Sequence, residues 1–386
     1  MNINMKKIYF LISTLIGLVS CESGINISVE NPSNFDRSEM VEIPVEKLMP
    51  LTSEKAYIVT YKNEEVLPSQ LTYDGKLIFQ ADIKAKEAIS YIIKVGAPET
   101  FPAKTYGRFI TERKDDFAWE NDRVAFRVYG PALISVDGPS NGIDLWYKKT
   151  NDLIIDKWYK DDIAGIKSYH DDHGEGLDDY KVGRTLGGGM MAPFVNDSLI
   201  LNENFTKQEV LENGPLRTTF KVTYKDITVN DKTFSESRIF SIDAGSQMTK
   251  ITQEYGTEDV ITVAAGIVKR AREDEAYTAY TDNGIAAVIY EESASEKAGN
   301  VFVSMIFPTG IERATSYTYT AIHPKTRQEE TFSHVLAIKT YYPEKPVTYY
   351  TGYGWSKFGF PTLSDFQSYI GYFSKALEEP LIIKIL

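Results

Sequence analysis

A two-residue rhythm of apolar and polar side chains constrains this chain most. It is clearest from Val124 to Tyr129 and from Thr219 to Tyr224, and it fits half-buried antiparallel strands. Residues 26–97 hold six short segments of strand character: INISVENP, EMVEIPVEKL, KAYIVTY, VLPSQLTY, KLIFQADI and AISYIIKVG. Turn chemistry separates them at NPSN, KNEE and YDGK. Six close-spaced strands predict a small N-terminal β-sandwich. GAPETFPAKTYG, with two prolines and two glycines, reads as a linker and puts a boundary near residue 104. More than ten strand segments follow, among them RVAFRVYG, TTFKVTYKDITV, FSESRIFSID, VFVSMIF and VTYYTGYGW. So many strands in one unit should close into a large two-sheet sandwich or a barrel, because a long open sheet leaves exposed edges. One helix is predicted, at the C-terminus. TLSDFQSYIGYFSKALEEP opens on a cap signal, spaces Phe366, Ile370, Phe373 and Leu377 three to four apart, and stops at Pro380. The predicted class is mainly β, with a small sandwich over residues 21–104, a large antiparallel one over 105–386, and a C-terminal helix.

The first 20 residues read as a secretion signal. Lys6 and Lys7 precede an apolar run from Ile8 to Val19, too short and wrongly flanked for a spanning helix. LVSC matches a lipobox, which makes Cys21, the only cysteine, the expected lipidation site and excludes an internal disulfide framework. ESGIN after Cys21 lacks an acidic export run, so the expected place is the periplasmic side of the outer membrane. Removing residues 1–20 takes away two lysines and no acid, so the formal charge of −12 becomes −14. Such a surface argues against nucleic acid and anionic lipid heads as partners. It does not argue against an acidic ligand held by a local basic cluster. The P-loop, G-x-G-x-x-G dinucleotide and C-x-x-C signatures are missing.

YHDDHGEGLDDYKVGRTLGGG, residues 169–189, breaks the β rhythm. It concentrates two of the four histidines, five acids and six glycines. A metal is one reading: Asp171, Asp172 and His173 could join a divalent ion, with His170 or Glu175. The glycines at 174 and 176 disfavour the helix that would put the histidines on one face. A calcium set of Asp171, Asp172, Asp178 and Asp179 lacks EF-hand spacing. No other cofactor is expected. Acid–base chemistry is the second reading. His170 or His173 would serve as base, oriented by Asp172, and Tyr180 as acid beside a cation such as Lys181 or Arg184. Lys181 and Arg184 could clamp a carboxylate, and the glycines would allow positive φ and close backbone approach to a ligand. The plainer reading is a solvated acidic loop.

Other candidates are scattered. On a strand, Arg123, Arg127 and Tyr129 would share one face as an anion clamp. His334 could face the same cleft, and Trp355 with Lys357 could stack on and hold a sugar ring. Arg217 and Arg238 read as surface pairs.

WENDRVAFRVYGPAL, GIDLWYKK, YHDDHGEGLDDYKVGRTLGGG, HVLA and YYTGYGWSK together resemble the Bacteroidetes family of domain of unknown function 4861, from about residue 26 to the C-terminus. The strand pattern after residue 105 also looks like the galactose-mutarotase-like super-sandwich. The resemblance implies a secreted lipoprotein of polysaccharide-utilisation loci, an acidic oligosaccharide as partner, and lyase or dehydratase chemistry on uronate residues. Two rivals stand beside it: hydrolysis by paired carboxylates drawn from Asp171, Asp172, Glu175, Asp178 and Asp179, or glycan binding without turnover through Trp355, Tyr353 and the arginines.

Overall fold

In the computed structural model, residues 24–51, 56–62, 65–270, 276–322 and 326–386 are described. The signal segment and Cys21 lie outside them. The chain is mainly β, with several antiparallel sheets and a C-terminal helix, Leu363–Glu378. Near the N-terminus a five-stranded and a three-stranded sheet enclose one core built on Val29, Val41, Phe79 and Ile93. The last strand, Ile382–Ile385, returns to pair with the first, Ile25–Glu30, with Ile27 opposite Ile385.

The larger unit is a sandwich. An eight-stranded sheet forms one layer, and two five-stranded sheets share the opposite layer around a common core. An isolated parallel bridge between Ile143 and Gly187 joins those two sheets. The period-two rhythm is explicit in strand Glu236–Asp243, which buries every second residue. Arg238 is one of the inward ones, which overturns its reading as a surface pair. Its guanidinium meets Glu236, Gln253 Oε1 at 2.7 Å and Tyr224 Oη at 2.7 Å, so the buried charge is matched. Arg217 instead bridges the two units, binding Glu42 Oε1 at 2.6 Å and Asp243 Oδ2 at 2.8 Å.

One five-stranded sheet positions the candidate site. Its strands Asp116–Asn121, Ala125–Val128 and Ile143–Lys148 are buried at every residue. Phe117, Trp119, Phe126, Leu145 and Tyr147 face the main core. The other face carries Ala118, Ala125 and Trp146 and is roofed by the helix Ile155–Ile163 and the chain after it, through Trp158, Tyr159 and Tyr169. Trp146 stacks on Trp158 at 5.4 Å and on Tyr169 at 5.1 Å. This helix was not foreseen. Its cap is supplied from the sheet: the Glu120 carboxylate accepts from the amides of Ile154 and Ile155 at 2.8 Å, while Lys148 Nζ donates to Glu120 at 2.8 Å. An acid there satisfies amides that a helix start leaves open and complements the helix dipole.

The C-terminal helix follows the sequence closely. Thr362 and Asp365 form a capping box, and Phe366 and Ile370 are buried.

Candidate functional site

Where strand Ala125–Val128 ends, the roofed face opens into a cleft of about 760 Å³, a size suited to a small ligand. Residues 170 and 178–184 form one wall, Arg113, Arg127 and Tyr129 the floor, and the hairpin carrying Ile322 and Phe332 the far side.

Arg127 is the centre of the floor. Its Nε and Nη2 donate to Asp144 Oδ2 at 3.0 and 2.6 Å, and Nη2 also reaches Asp178 Oδ2 at 2.9 Å. The rings of Tyr129, Trp146 and Tyr169 lie 5.0, 5.1 and 5.8 Å from the guanidinium. Its Nη1 stands 4.0 Å from Asp116 Oδ2 and makes no hydrogen bond of good geometry. Arg113 completes the group, donating to Asp116 Oδ2 at 2.6 Å and to Tyr169 Oη at 3.2 Å. Burial pushes Asp116 and Asp178 above the usual carboxylate range. Burial, with Asp178 beside it, pushes Asp144 up to about 7.

Arg123 does not join this floor. The Asn121 side chain accepts from the amides of Arg123 and Val124 at 2.8 and 2.9 Å, and this Asx turn breaks the alternation before the strand begins at Ala125. Arg123 is exposed and borders a separate hollow of about 240 Å³, together with Trp355.

The 169–189 loop splits in function. His170 stays at the cleft mouth with its side chain 58 % exposed. Its Nδ1 lies 3.0 Å from the carbonyl oxygen of Asp178. A carbonyl only accepts, so Nδ1 carries the proton and the neutral ring keeps its lone pair on Nε2. His173 is exposed and turned to a different, very small hollow. Asp172 orients no histidine; it pairs with Lys149 at 2.5 Å and accepts from the Gly174 amide at 2.8 Å. Asp171 pairs with Lys297 at 2.5 Å. Asp171, Asp172 and His173 therefore do not converge, and among the described residues no group of three or more His, Cys, Asp or Glu is placed to hold a metal. The glycines serve the framework. At Gly176 (φ +121°) a Cβ would fall 1.8 Å from the Tyr147 carbonyl oxygen, and at Gly187 (φ +58°) 2.2 Å from that of Ile143. The close approach they permit is to the sheet backbone.

Tyr180 lines the cleft, but its hydroxyl is buried and without a hydrogen-bond partner, and the ring packs in the main core. Burial raises its pKa well above the usual phenol range, so it stays protonated. The cation beside it is Arg270, 4.8 Å from the ring centroid. Lys181 is exposed on the same wall. Arg184 spends two of its nitrogens on backbone carbonyls, Asn202 at 2.6 Å and Leu201 at 2.8 Å. Among the described residues neither Lys181 nor Arg184 has a carboxylate in ion-pair contact.

Three other residues named from the sequence lie elsewhere. His334 is fully buried, its Nε2 accepting from the Leu186 amide at 3.1 Å, and burial lowers its pKa to about 3. Trp355 is buried with Nε1 donating to the Ala298 carbonyl at 2.6 Å, so its face is closed to a sugar. Lys357 is exposed and reaches the backbone carbonyl of Lys297.

The profile of the family described as Domain of unknown function (DUF4861) matches residues 29–383. The chain belongs to that family. A relative from Formosa agariphila, Uncharacterized protein P7, is 31% identical over 380 residues, covering 93% of each chain. Two solved structures from Enterococcus faecalis are more distant. One is a protein in glycosyl hydrolase family 38 (TM-score 0.36, 10% identity, 94% of this chain and 47% of that one). The other is an alpha-mannosidase (TM-score 0.36, 9% identity, 94% of this chain and 46% of that one). The chain spans about half the length of those two, and at that score the likeness carries no argument.

In this DUF4861 chain two residues that sequence reasoning missed line the cleft, Arg113 and Lys297, and three more stand behind its lining: Asp116 against Arg113, Asp144 against Arg127 and Arg270 against Tyr180. Asp144 had a visible signal, an acid within the otherwise strand-like IDLWYK. Arg270 had none, because only the folded chain brings it against Tyr180.

Proposed function

We propose that this chain acts on uronate-containing oligosaccharides by elimination, as a lyase or dehydratase in a polysaccharide-utilisation system. One observation carries the reading: Lys181 and Arg184 stand without a carboxylate in ion-pair contact among the described residues, on the wall of a cleft that His170 and Tyr180 also line. A uronate carboxylate would dock on the two cations. His170 Nε2 takes the proton from the carbon α to that carboxylate. Lys181 and Arg184 stabilise the enolate-like charge. Tyr180, once bound substrate uncovers its buried hydroxyl, gives its proton to the oxygen leaving the β carbon, so one C–H and one C–O bond break and a C=C bond forms. The test is incubation with lyase-generated uronate oligosaccharides, reading product mass and the absorbance of the new conjugated double bond. Absence of any product with a range of acidic glycans would sink the proposal.

A second reading, hydrolysis by paired carboxylates, is favoured by Asp144 and Asp178, two acids held on one guanidinium with Asp144 pushed up to about 7. It predicts products that gain one water and carry no double bond. Binding without turnover would leave substrate mass unchanged at saturation. We also propose Cys21 as a lipidation site, tested by fatty-acid labelling of wild type and Cys21→Ala.

A further inference from the structure

We propose that a second cleft, between the small sandwich, the eight-stranded sheet and the C-terminal helix, binds an uncharged pyranose oligosaccharide. It is independent of the proposed elimination and lies on different elements. Its volume, about 790 Å³, is close to that of the first cleft.

Two guanidinium ties fix its walls. Arg37, on strand Arg37–Pro44, donates to the carbonyls of Glu379 at 2.5 Å and Ala376 at 3.2 Å, holding the end of the helix Leu363–Glu378 to the small sandwich. Arg217 ties Glu42 of the small sandwich to Asp243 of the eight-stranded sheet. With both sides pinned, the space between is part of the frame and not a gap free to close.

Aromatic rings furnish this frame. Tyr372 is 56% exposed, an unusual place for a large ring on a helix that buries its opposite face. Phe35 lies 4.9 Å from it across the cleft wall, and Tyr350 and Phe373 meet edge to face at 5.2 Å deeper in. Flat rings with one open face suit the C–H face of a pyranose.

Charge then selects the ligand. Arg37 is matched by Glu39 at 2.5 Å, and Arg217 by Glu42 and Asp243. An anionic sugar would meet four lining carboxylates, Asp36, Glu39, Glu42 and Asp243, with Arg37 and Arg217 already engaged and Lys250 as the one lining cation without a carboxylate in ion-pair contact among the described residues. A lipid tail would have to strip water from the same carboxylates with nothing to replace it. A neutral polyol avoids both penalties, since its hydroxyls donate to Glu39, Glu42 and Asp243 and accept from Ser38 or Ser241. The first cleft differs in that two of its lining cations, Lys181 and Arg184, have no carboxylate in ion-pair contact among the described residues.

The test is titration of the whole protein with a panel of short neutral gluco-, xylo-, manno- and galacto-oligosaccharides, followed by calorimetry and by protein NMR. Saturable binding to one of them is expected, weakened about tenfold or more in Tyr372→Ala and unchanged in Lys181→Ala. Because these probes carry no carboxylate, the result does not depend on whether the elimination occurs. Thermal melting of Tyr372→Ala confirms that the exposed substitution leaves the fold intact. Should that variant fail to fold, shifts of the Tyr350, Phe35 and Phe373 resonances in the wild type decide. The proposal is overturned if no neutral sugar binds at millimolar concentration. It is equally overturned if the bound sugar perturbs none of these rings, or if only fatty-acyl or peptide probes saturate the cleft.

Discussion

Burial sets what Tyr180 can do. Its phenol is kept protonated and unbonded at the cleft wall, with Arg270 over the ring. If it is the acid in the proposed elimination, Tyr180→Phe lowers kcat by about 100-fold or more with little change in KM. Arg270→Met should produce part of that loss and Arg270→Lys restore some of it, both read from initial rates on an acidic oligosaccharide. His334 makes a prediction that needs no substrate. Its pKa falls from about 6.5 when unfolded to about 3 when folded. The unfolded chain therefore binds the extra proton, and stability is lost as pH drops below about 6.5, by roughly 1.4 kcal/mol per pH unit at the steepest. The stability gap between wild type and His334→Gln should move in the mutant's favour from pH 7 to pH 4, measured by urea denaturation. Asp144 acts in the opposite sense, since its raised pKa makes the fold more stable as pH falls from about 7 towards 4; taking the difference against His334→Gln removes that background. At this scale Arg127, Tyr129, His170 and Tyr180 were legible, because strand alternation and histidine clustering are local properties. Arg123 misled, because the Asn121 turn interrupts the alternation one residue before it matters.

The helix Ile155–Ile163 shows why some elements escape a sequence reading. Ile155, Trp158 and Tyr159 have helical spacing, yet no Ser, Thr, Asp or Asn stands at its start. The cap arrives from Glu120, 34 residues earlier in the chain, so the usual start signal is absent from the local sequence. The same carboxylate is paired with Lys148, and both are fully buried. Lys148→Met would leave Glu120 charged and uncompensated, and should destabilise the fold by about 3–5 kcal/mol. The double variant Glu120→Gln/Lys148→Met should recover part of that, because it removes the stranded charge. Chemical denaturation of both variants checks the order. The C-terminal helix, in contrast, carries its own capping box and was readable to within a residue or two.

At the scale of the molecule, alternation disclosed a mainly β chain of layered sheets but not how its ends meet. Strand Ile382–Ile385 is four residues long, too short for periodicity to speak, and its partner lies over 350 residues away. It covers the outer edge of Ile25–Glu30 in the small sandwich. Deleting residues 381–386 should bare that edge, lower the melting temperature and speed limited proteolysis of residues 24–96, while leaving the Arg127 cleft intact. The same pairing has a mechanical side. Cys21 precedes Ile25 by four positions, and four residues reach at most about 14 Å however they are arranged. If Cys21 bears a lipid, the molecule is moored on a very short leash, and Leu386, whose amide donates to the Asn26 carbonyl at 2.9 Å, sits at the same end of the small sandwich. On the proposed function, such a mooring favours short fragments that diffuse to the cleft over a distant polymer.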